Sequence, residues 1–380
     1  MYLRSLHLRY FRNYVDQAIA LSAPKTILVG DNAQGKTNVL EAVELLATLK
    51  SHRANRDREL VSDRAEKGAI LAEIERLGTS HELAVELRSQ GRRTVRADGQ
   101  VMRRRVDFLG QVNAVSFSSR DLDVVRGGPG ERRTWLDGIL VQLEPVYADL
   151  LDQYKQVLRQ RNALIKAWDD SAETANLSAW DSQLVVTGTR VMRRRARLLA
   201  RLQPLAARWH QQISGDREVL ELAYRPQVPL EDVQSDGQTI QTQFWQEIRA
   251  KDAAERARGT SLVGPHRDEV HLSINRTPAR EYGSQGQQRT LVLALKLAEV
   301  ELIEQVVGDV PLLLLDDVLA ELDLHRQNQL LDAIADKVQT LVTTTHLGTF
   351  DARWLDAAQI IRVEAGRLHA AASPSHSHRV

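Results

Sequence analysis

The sequence predicts an α/β protein: a core built on a strand, a glycine loop and a helix, with an adjoining antiparallel β-layer and an inserted helical domain. Three observations carry this expectation. The apolar run Thr26-Ile27-Leu28-Val29 stops at Gly30, and beyond the loop Asn38 to Leu49 places its apolar residues at helical spacing. Residues 68 to 106 alternate apolar and polar positions (AILAEIE, HELAVELRS, RTVRADG) between turn residues, as strands of an antiparallel layer do. From Asp121 to Gln212 the chain turns helix-periodic and rich in Leu, Arg and Gln, which is the pattern of a helical insertion.

Taken in order, Leu3 to Tyr14 reads as an edge strand followed by a turn. After the insertion, Val219 to Tyr224 is a strand that is a candidate to return to the core, and Thr242 to Arg258 is helical. The α/β pattern resumes at Leu262, with a strand at Val270 to Ile274, a helix at Gln287 to Val306 and a continuous apolar strand at Pro311 to Leu315. Two more strands follow, Gln339 to Thr343 and Ala358 to Val363. The expected organisation is 1–120 for the N-terminal part of the core, 121–258 for the helical insertion, 259–367 for the C-terminal part of the core and 368–380 for a disordered tail.

A chain of 380 residues exceeds what one compact domain needs, and its 43% hydrophobic and 27% charged residues suit a globular protein with a sizeable core. No run approaches the roughly 20 apolar residues that span a bilayer, and the N-terminus MYLRSLHLRYFRNY lacks the apolar segment of a secretory signal, so a cytoplasmic protein without membrane partners is expected. Zero cysteines exclude disulfides, thiolate metal sites and a cysteine nucleophile. With a net charge of only +1, any nucleic-acid surface must come from local charge separation. Candidate clusters are Arg103-Arg104-Arg105, Arg132-Arg133 and Arg193-Arg194-Arg195 with Arg197 and Arg201, each equally readable as a solvated face. Arg132, Arg133, Arg193, Arg194 and Arg197 are the candidate DNA contacts.

The segment Gly30-Asp31-Asn32-Ala33-Gln34-Gly35-Lys36-Thr37 fits G-x-x-x-x-G-K-[ST] and lies between a buried strand and a helix, the context in which that pattern binds phosphate. Gly30 and Gly35 let the backbone curl so that its N–H groups face the anion, and the positive end of the helix adds to the attraction. Lys36 is expected at the β- and γ-phosphates of ATP and Thr37 on Mg²⁺, with Asn38 completing the nucleotide-binding set.

Pro311-Leu312-Leu313-Leu314-Leu315-Asp316-Asp317 is a buried strand ending in two acids, which delivers a carboxylate to the carboxyl edge of a parallel sheet. Asp316 is the expected metal ligand, and Asp317 the group that orients or deprotonates the attacking water. Ser284-Gln285-Gly286-Gln287 precedes the long helix and makes a second anion site. One γ-phosphate does not readily need both sites from one subunit, so the economical arrangement is a head-to-tail dimer in which each Ser284 loop serves the other's ATP. His346 follows another strand and is either a surface residue or a sensor of the γ-phosphate.

The phosphate loop GDNAQGKTN, the loop SQGQQR and the segment LLLLDDVLAELD resemble the ABC-type ATPase heads of the SMC superfamily, and within it the RecF family of bacterial DNA repair proteins. LATLKSHR (46–53), SSRDLDVVRGGPGERRTWLD (118–137) and RGTSLVGPHRDEV (258–270) extend the similarity from one end of the chain to the other. The resemblance implies an ABC-type P-loop ATPase head with Ala320, Leu322 and Asp323 on a dimer-facing loop. It implies ATP-dependent binding of double-stranded and gapped DNA by a homodimer, RecR and RecO as partners, loading of the RecA recombinase, a part in the SOS response and a nucleoid-associated location. Asp317 stands where transporter-type ABC ATPases have glutamate, so a weak, DNA-stimulated ATPase is expected. The segment Ser116 to Asp121 takes the place of the Q-loop without a glutamine, Ser119 stands where the family often has proline, and Trp135 where a smaller aromatic is usual. His346 resembles the ABC switch histidine.

Other motifs stay open. His266-Arg267-Asp268 is read as a structural turn rather than a contact to a partner's nucleotide, and Ser51-His52-Arg53 as either a nucleotide contact or packing. A transporter subunit leaves the Arg-rich insertion unexplained, a small-molecule kinase needs an acceptor pocket for which no residues stand out, and an SMC-like arm needs a longer insertion.

Overall fold

The computed structural model describes every residue except 168–173, 231–234, 320–321, 323, 335–336, 351 and 371–380. The chain forms two compact units, Met1–Asp121 with Glu299–Val380, and Leu122–Ala298. Along the sequence the first unit begins with β1 (Tyr2–Phe11), β2 (Tyr14–Ala20), β3 (Lys25–Val29), α1 (Lys36–Thr48), β4 (Lys67–Arg76), β5 (Thr79–Arg88), β6 (Thr94–Ala97), β7 (Gln100–Val101), α2 (Arg105–Phe108) and β8 (Ala114–Ser118). The second holds α3 (Asp123–Arg126), α4 (Pro129–Leu143), α5 (Val146–Lys166), α6 (Thr174–Ser214), β9 (Leu220–Arg225), α7 (Gly237–Arg258), β10 (Glu269–Ile274), β11 (Thr277–Pro278), α8 (Ala279–Tyr282) and the start of α9 (Gln285–Val307). The chain closes with β12 (Leu312–Asp316), α10 (Leu324–Ile334), β13 (Thr340–Thr344), α11 (Ala352–Asp356), β14 (Ala358–Glu364) and β15 (Arg367–Ala370).

In the first unit an antiparallel sheet of order β2-β1-β4-β5-β6-β7 forms the expected β-layer. Its first strand is not an edge. The chain reverses at Arg12 (φ 53°) and returns as β2, so β1 is paired on both sides and buries Leu3, Leu6 and Leu8 completely. The polar YVDQAIA of β2 gave no apolar alternation to announce this. The second sheet has the order β15-β14-β3-β13-β12-β8 and is parallel except for β15. Leu312 to Leu315 are at most 1% exposed, as a central strand covered on both faces requires. Register pairs Val29 with Thr344, Thr343 with Asp316 and Asp316 with Ser118, so β3, β13, β12 and β8 end level at one carboxyl edge.

The turn at Ala365 and Gly366, both at positive φ, folds β15 back on β14 through Ala370. The ordered sheet therefore continues into the first residues of the expected disordered tail; residues 371–380 lie outside the described ones.

In the second unit, α6 packs against α4, α5, α7 and β9. Arg161, fully buried, bonds to Asp181, Ser261 and Glu255. Arg195, 3% exposed, forks onto Asp137 and donates to the Pro265 carbonyl. Buried guanidinium groups persist only with such full satisfaction. Asp236 caps α7 through the amides of Gln238 and Thr239, and Gly259 (φ 63°) ends it. The strand β10 pairs with β9 on one side and β11 on the other, and none of the three joins either sheet of the first unit. Leu220, Leu222 and Tyr224 lie on the buried face with Val270, Leu272 and Ile274, which gives both strands their apolar cover within this unit. The first unit thus resumes at Glu299, inside α9, rather than near residue 259.

Candidate functional site

The site is built where parallel strands end. Behind β3 the chain enters the glycine loop, and both glycines are obligatory. A Cβ on Gly30 would lie 2.2 Å from the Val363 carbonyl oxygen, and Gly35 has φ 118° with Asn13 and Tyr14 within 3.0 Å of a Cβ. Tyr14 donates its hydroxyl to the Gly35 carbonyl (2.9 Å), and Asn13 donates to the Gln34 carbonyl (2.9 Å) while accepting from Asn38 (2.8 Å). Gly35 is the N-cap of α1 and no side chain caps that helix; the Asn38 amide turns back to the Gly35 carbonyl (2.9 Å), and those of Lys36 and Thr37 are left for an anion.

The Lys36 ammonium donates to the carbonyls of Gly30 (2.5 Å) and Asp31 (2.8 Å). Burial draws its pKa down, against the pull of Asp317, Asp316 and Asp31. Thr37 Oγ1 donates to Asp316 Oδ1 (2.9 Å), and Thr343 Oγ1 donates to the same oxygen (2.7 Å). Asp317 sits at φ 56°, with its amide donating to Thr343 Oγ1 (2.9 Å). Burial raises the Asp317 carboxyl above the ordinary value; Asp316 adds to the rise, while Lys36 and His346 oppose it. These charges converge on a cavity of roughly 310 Å³ whose lining also includes Asn32, Ala33 and Arg53. A hydroxyl and a carboxylate side by side are the hard oxygen donors that Mg²⁺ takes, next to a lysine and open amides suited to phosphate.

The expected set is thus brought together around Gly30 to Asn38, Asp316, Asp317 and His346. His346 is exposed, and its amide donates to Thr344 Oγ1 (3.2 Å). Ser118, which ends β8 beside Asp316, binds Asp121 through its amide (2.7 Å) and hydroxyl (3.2 Å), so Ser116 to Asp121 reaches the same edge. Sequence reading missed Asn13, Tyr14 and Thr343, which sit in a hairpin turn and a threonine run that look purely structural. Arg53, left open between nucleotide and packing, lines the cavity and donates to Asn38 (2.8 Å) beside the buried Glu41.

The Ser284 loop belongs to the second unit. Ser284 Oγ accepts from the Gln287 amide (3.2 Å) and the Gln287 side chain accepts from the Ser284 amide (2.8 Å), a reciprocal capping box at the start of α9. Gln287 also donates to Glu218 (2.9 Å). Gln285 and Gly286 form the first turn of the helix. Ala320 and Asp323 lie outside the described residues; Leu322, between them, is 7% exposed and accepts from Gln327 (3.0 Å).

The candidate DNA contacts divide. Arg132 is 5% exposed, forks onto Glu269 (2.7 and 2.8 Å) and donates to the carbonyls of Val124 and Gly127, so it is a structural tie and not a surface cation. Arg133, half-buried, donates to the Asp268 carbonyl (2.7 Å), and burial with the neighbouring Arg195 lowers its pKa. Arg194 pairs with Glu144 (2.9 Å). Arg193 and Arg197 are exposed. His266 bonds Tyr154 (2.6 Å) and the Ser261 carbonyl (3.1 Å), and burial depresses its pKa to about 4, as a structural turn requires.

Comparison with known proteins finds relatives over nearly the whole chain. The family model described as RecF/RecN/SMC N terminal domain matches residues 2–367. A protein of Synechococcus sp. (strain JA-2-3B'a(2-13)) described as DNA replication and repair protein RecF is 69% identical over 370 residues, covering 97% of each chain. A solved structure of the recombination mediator protein RecF-ATP in the RecFOR pathway superposes with a TM-score of 0.90 at 28% identity, covering 98% of both chains. An Smc head domain derived from Pyrococcus furiosus shares the fold, with a TM-score of 0.54 at 16% identity over 97% of this chain and 96% of its own.

Proposed function

The chain belongs to the RecF/RecN/SMC N-terminal domain family, and within it to the RecF proteins; on that premise we propose that it is an ATP-dependent DNA-binding protein of replication and repair, whose ATP-driven dimer clamps gapped or junction DNA. The observation that carries this reading is Thr37 donating to Asp316 at 2.9 Å beside Lys36, at the edge where β3, β12 and β13 end together. Lys36 and the open amides of the loop hold the phosphates, and the adjoining cavity of roughly 560 Å³, which shares Asn38 and Arg53, suits the nucleoside. Thr37 and Asp316 would hold Mg²⁺, whose chemistry there would be to supply positive charge against the phosphates. Asp317, its carboxyl pKa raised by burial, orients the attacking water or takes its proton, and His346 flanks it.

Ser284, Gln285, Gly286 and Gln287 of a second protomer close over the γ-phosphate, with Ala320, Leu322 and Asp323 facing that dimer. The short Asp317 side chain makes hydrolysis slow, so that it acts as a timer for release, and DNA accelerates it. RecR and RecO are the partners that the family suggests, with RecA loading as the outcome. Sedimentation velocity with ATP and a gapped duplex tests the reading. A dimer that appears with ATP and binds the duplex more tightly than the nucleotide-free protein is the expected result; a monomer at every ATP concentration, with unchanged DNA affinity, overturns it.

A further inference from the structure

Between Ser182 and Ser214, helix α6 has no Asp or Glu and carries Arg190, Arg193, Arg194, Arg195, Arg197, Arg201 and Arg208. The fold sorts them. Arg195 points into the unit onto Asp137, and Arg194 is tied to Glu144. The other five are exposed. With 3.6 residues per turn, Arg190, Arg197, Arg201 and Arg208 fall within about 20° of one line that runs about 27 Å along the helix, with Arg193 to one side. Among the described residues, Arg190, Arg197 and Arg201 make no side-chain hydrogen bond or ion pair, whereas Arg193 is faced by Asp236 and Arg208 lies over Trp209.

Helix α7 of the same unit carries four cations interspersed with acids and pairs two of them, Lys251 with Glu247 and Arg256 with Asp252, one turn away. Like charges at that spacing destabilise a helix, as Arg193 with Arg197 and Arg197 with Arg201 do here. A stripe kept without neutralising acids, in a chain of net charge +1, is a local separation of charge and not a by-product of overall basicity.

We infer that this face of α6 is the track for a nucleic-acid backbone: Arg190, Arg197 and Arg201 contact successive phosphates of duplex DNA, with Arg193 and Arg208 flanking. Guanidinium groups suit phosphate through paired N–H donors, and a straight row of them along one helix follows a strand without reading its bases. The inference rests on the proposed DNA binding and names the surface that performs it, which differs from the five candidate DNA contacts drawn from the sequence by dropping Arg132, Arg133 and Arg194 and adding Arg190, Arg201 and Arg208.

The test replaces Arg190, Arg197 and Arg201 together by Gln and, in a second variant, by Lys, and measures affinity for a gapped duplex with ATP between 50 and 200 mM salt. Loss of three phosphate contacts flattens the slope of log affinity against log salt by about 2.7, so that wild type loses about 40-fold more affinity than the Gln variant across that range. The Lys variant retains the wild-type slope, because it keeps the charges. ATP-dependent dimerisation in sedimentation runs stays unchanged in both variants. A Gln variant with the wild-type salt slope overturns the inference and leaves the proposed function standing, as does a variant that keeps DNA but loses binding to polyglutamate, the mark of a surface for acidic protein. Wild type that fails to bind the duplex at all overturns both.

Discussion

Two helix N-termini in this chain are proposed to meet an anion, and they are prepared in opposite ways. At α1 the loop is braced from outside: Tyr14 and Asn13 hold the carbonyls of Gly35 and Gln34, and no side chain caps the first-turn amides. At α9 the turn is satisfied from within, Ser284 and Gln287 each accepting the other's amide. A neutral hydrogen bond contributes about 0.5–1.5 kcal/mol net, and one to a charged group about 1.5–3 kcal/mol. Exchanging the capping box for a phosphate is therefore favourable only by a small margin. On the proposed function, the braced loop binds nucleotide by itself, whereas the self-capped turn acts when a partner presents a phosphate already held.

The largest effect that breaks this comparison is Lys36→Ala. Removing the one ammonium within the loop lowers nucleotide affinity by about 100-fold or more, because a charge-assisted contact is lost on more than one phosphate; isothermal titration with ATP and Mg²⁺ measures it, and affinity within a few-fold of wild type contradicts the assignment. A smaller change sharpens the contrast. Tyr14→Phe removes the brace on the Gly35 carbonyl (2.9 Å), which is then held by the Asn38 amide alone (2.9 Å). It is expected to cost about 0.5–1.5 kcal/mol of stability and to weaken ATP binding several-fold, with no effect on dimerisation once ATP is saturating. Thermal melts with and without nucleotide resolve the two contributions, and a variant as stable as wild type shows that the loop needs no such support.

How much of this was legible follows from where the determining interactions lie. The glycine loop and the strand ending in Asp316-Asp317 carry their signals in neighbouring residues, so their placement at one sheet edge could be read from local pattern alone. The fold class followed for the same reason, through the alternation of β4 and β5 and the periodicity of α5 and α6. The unit boundary could not be read, because α9 passes through it with the continuous helix-forming sequence LVLALKLAEVEL, and neither glycine nor proline marks the change. Arg132 reads equally as a phosphate contact and as an intramolecular salt-bridge partner, because Glu269, which covers it, is distant in sequence. The triplet Arg193-Arg194-Arg195 reads as one cluster, yet helical phase turns one member outward, one to Glu144 and one into the core. Thr343 bonds Asp316 only because β12 and β13 are parallel neighbours in register.

The central claim, that one protomer's glycine loop and the other's Ser284 turn grip the same nucleotide, is tested most directly by mixing two inactive variants. Lys36→Ala lacks the loop and Ser284→Arg lacks the turn, so each alone stays monomeric with ATP in sedimentation velocity runs. In the mixture the intact loop of the second meets the intact turn of the first, and an ATP-dependent mixed dimer with one complete site forms. A mixture with no more dimer than either variant alone, at protein concentrations where wild type dimerises fully, contradicts the account.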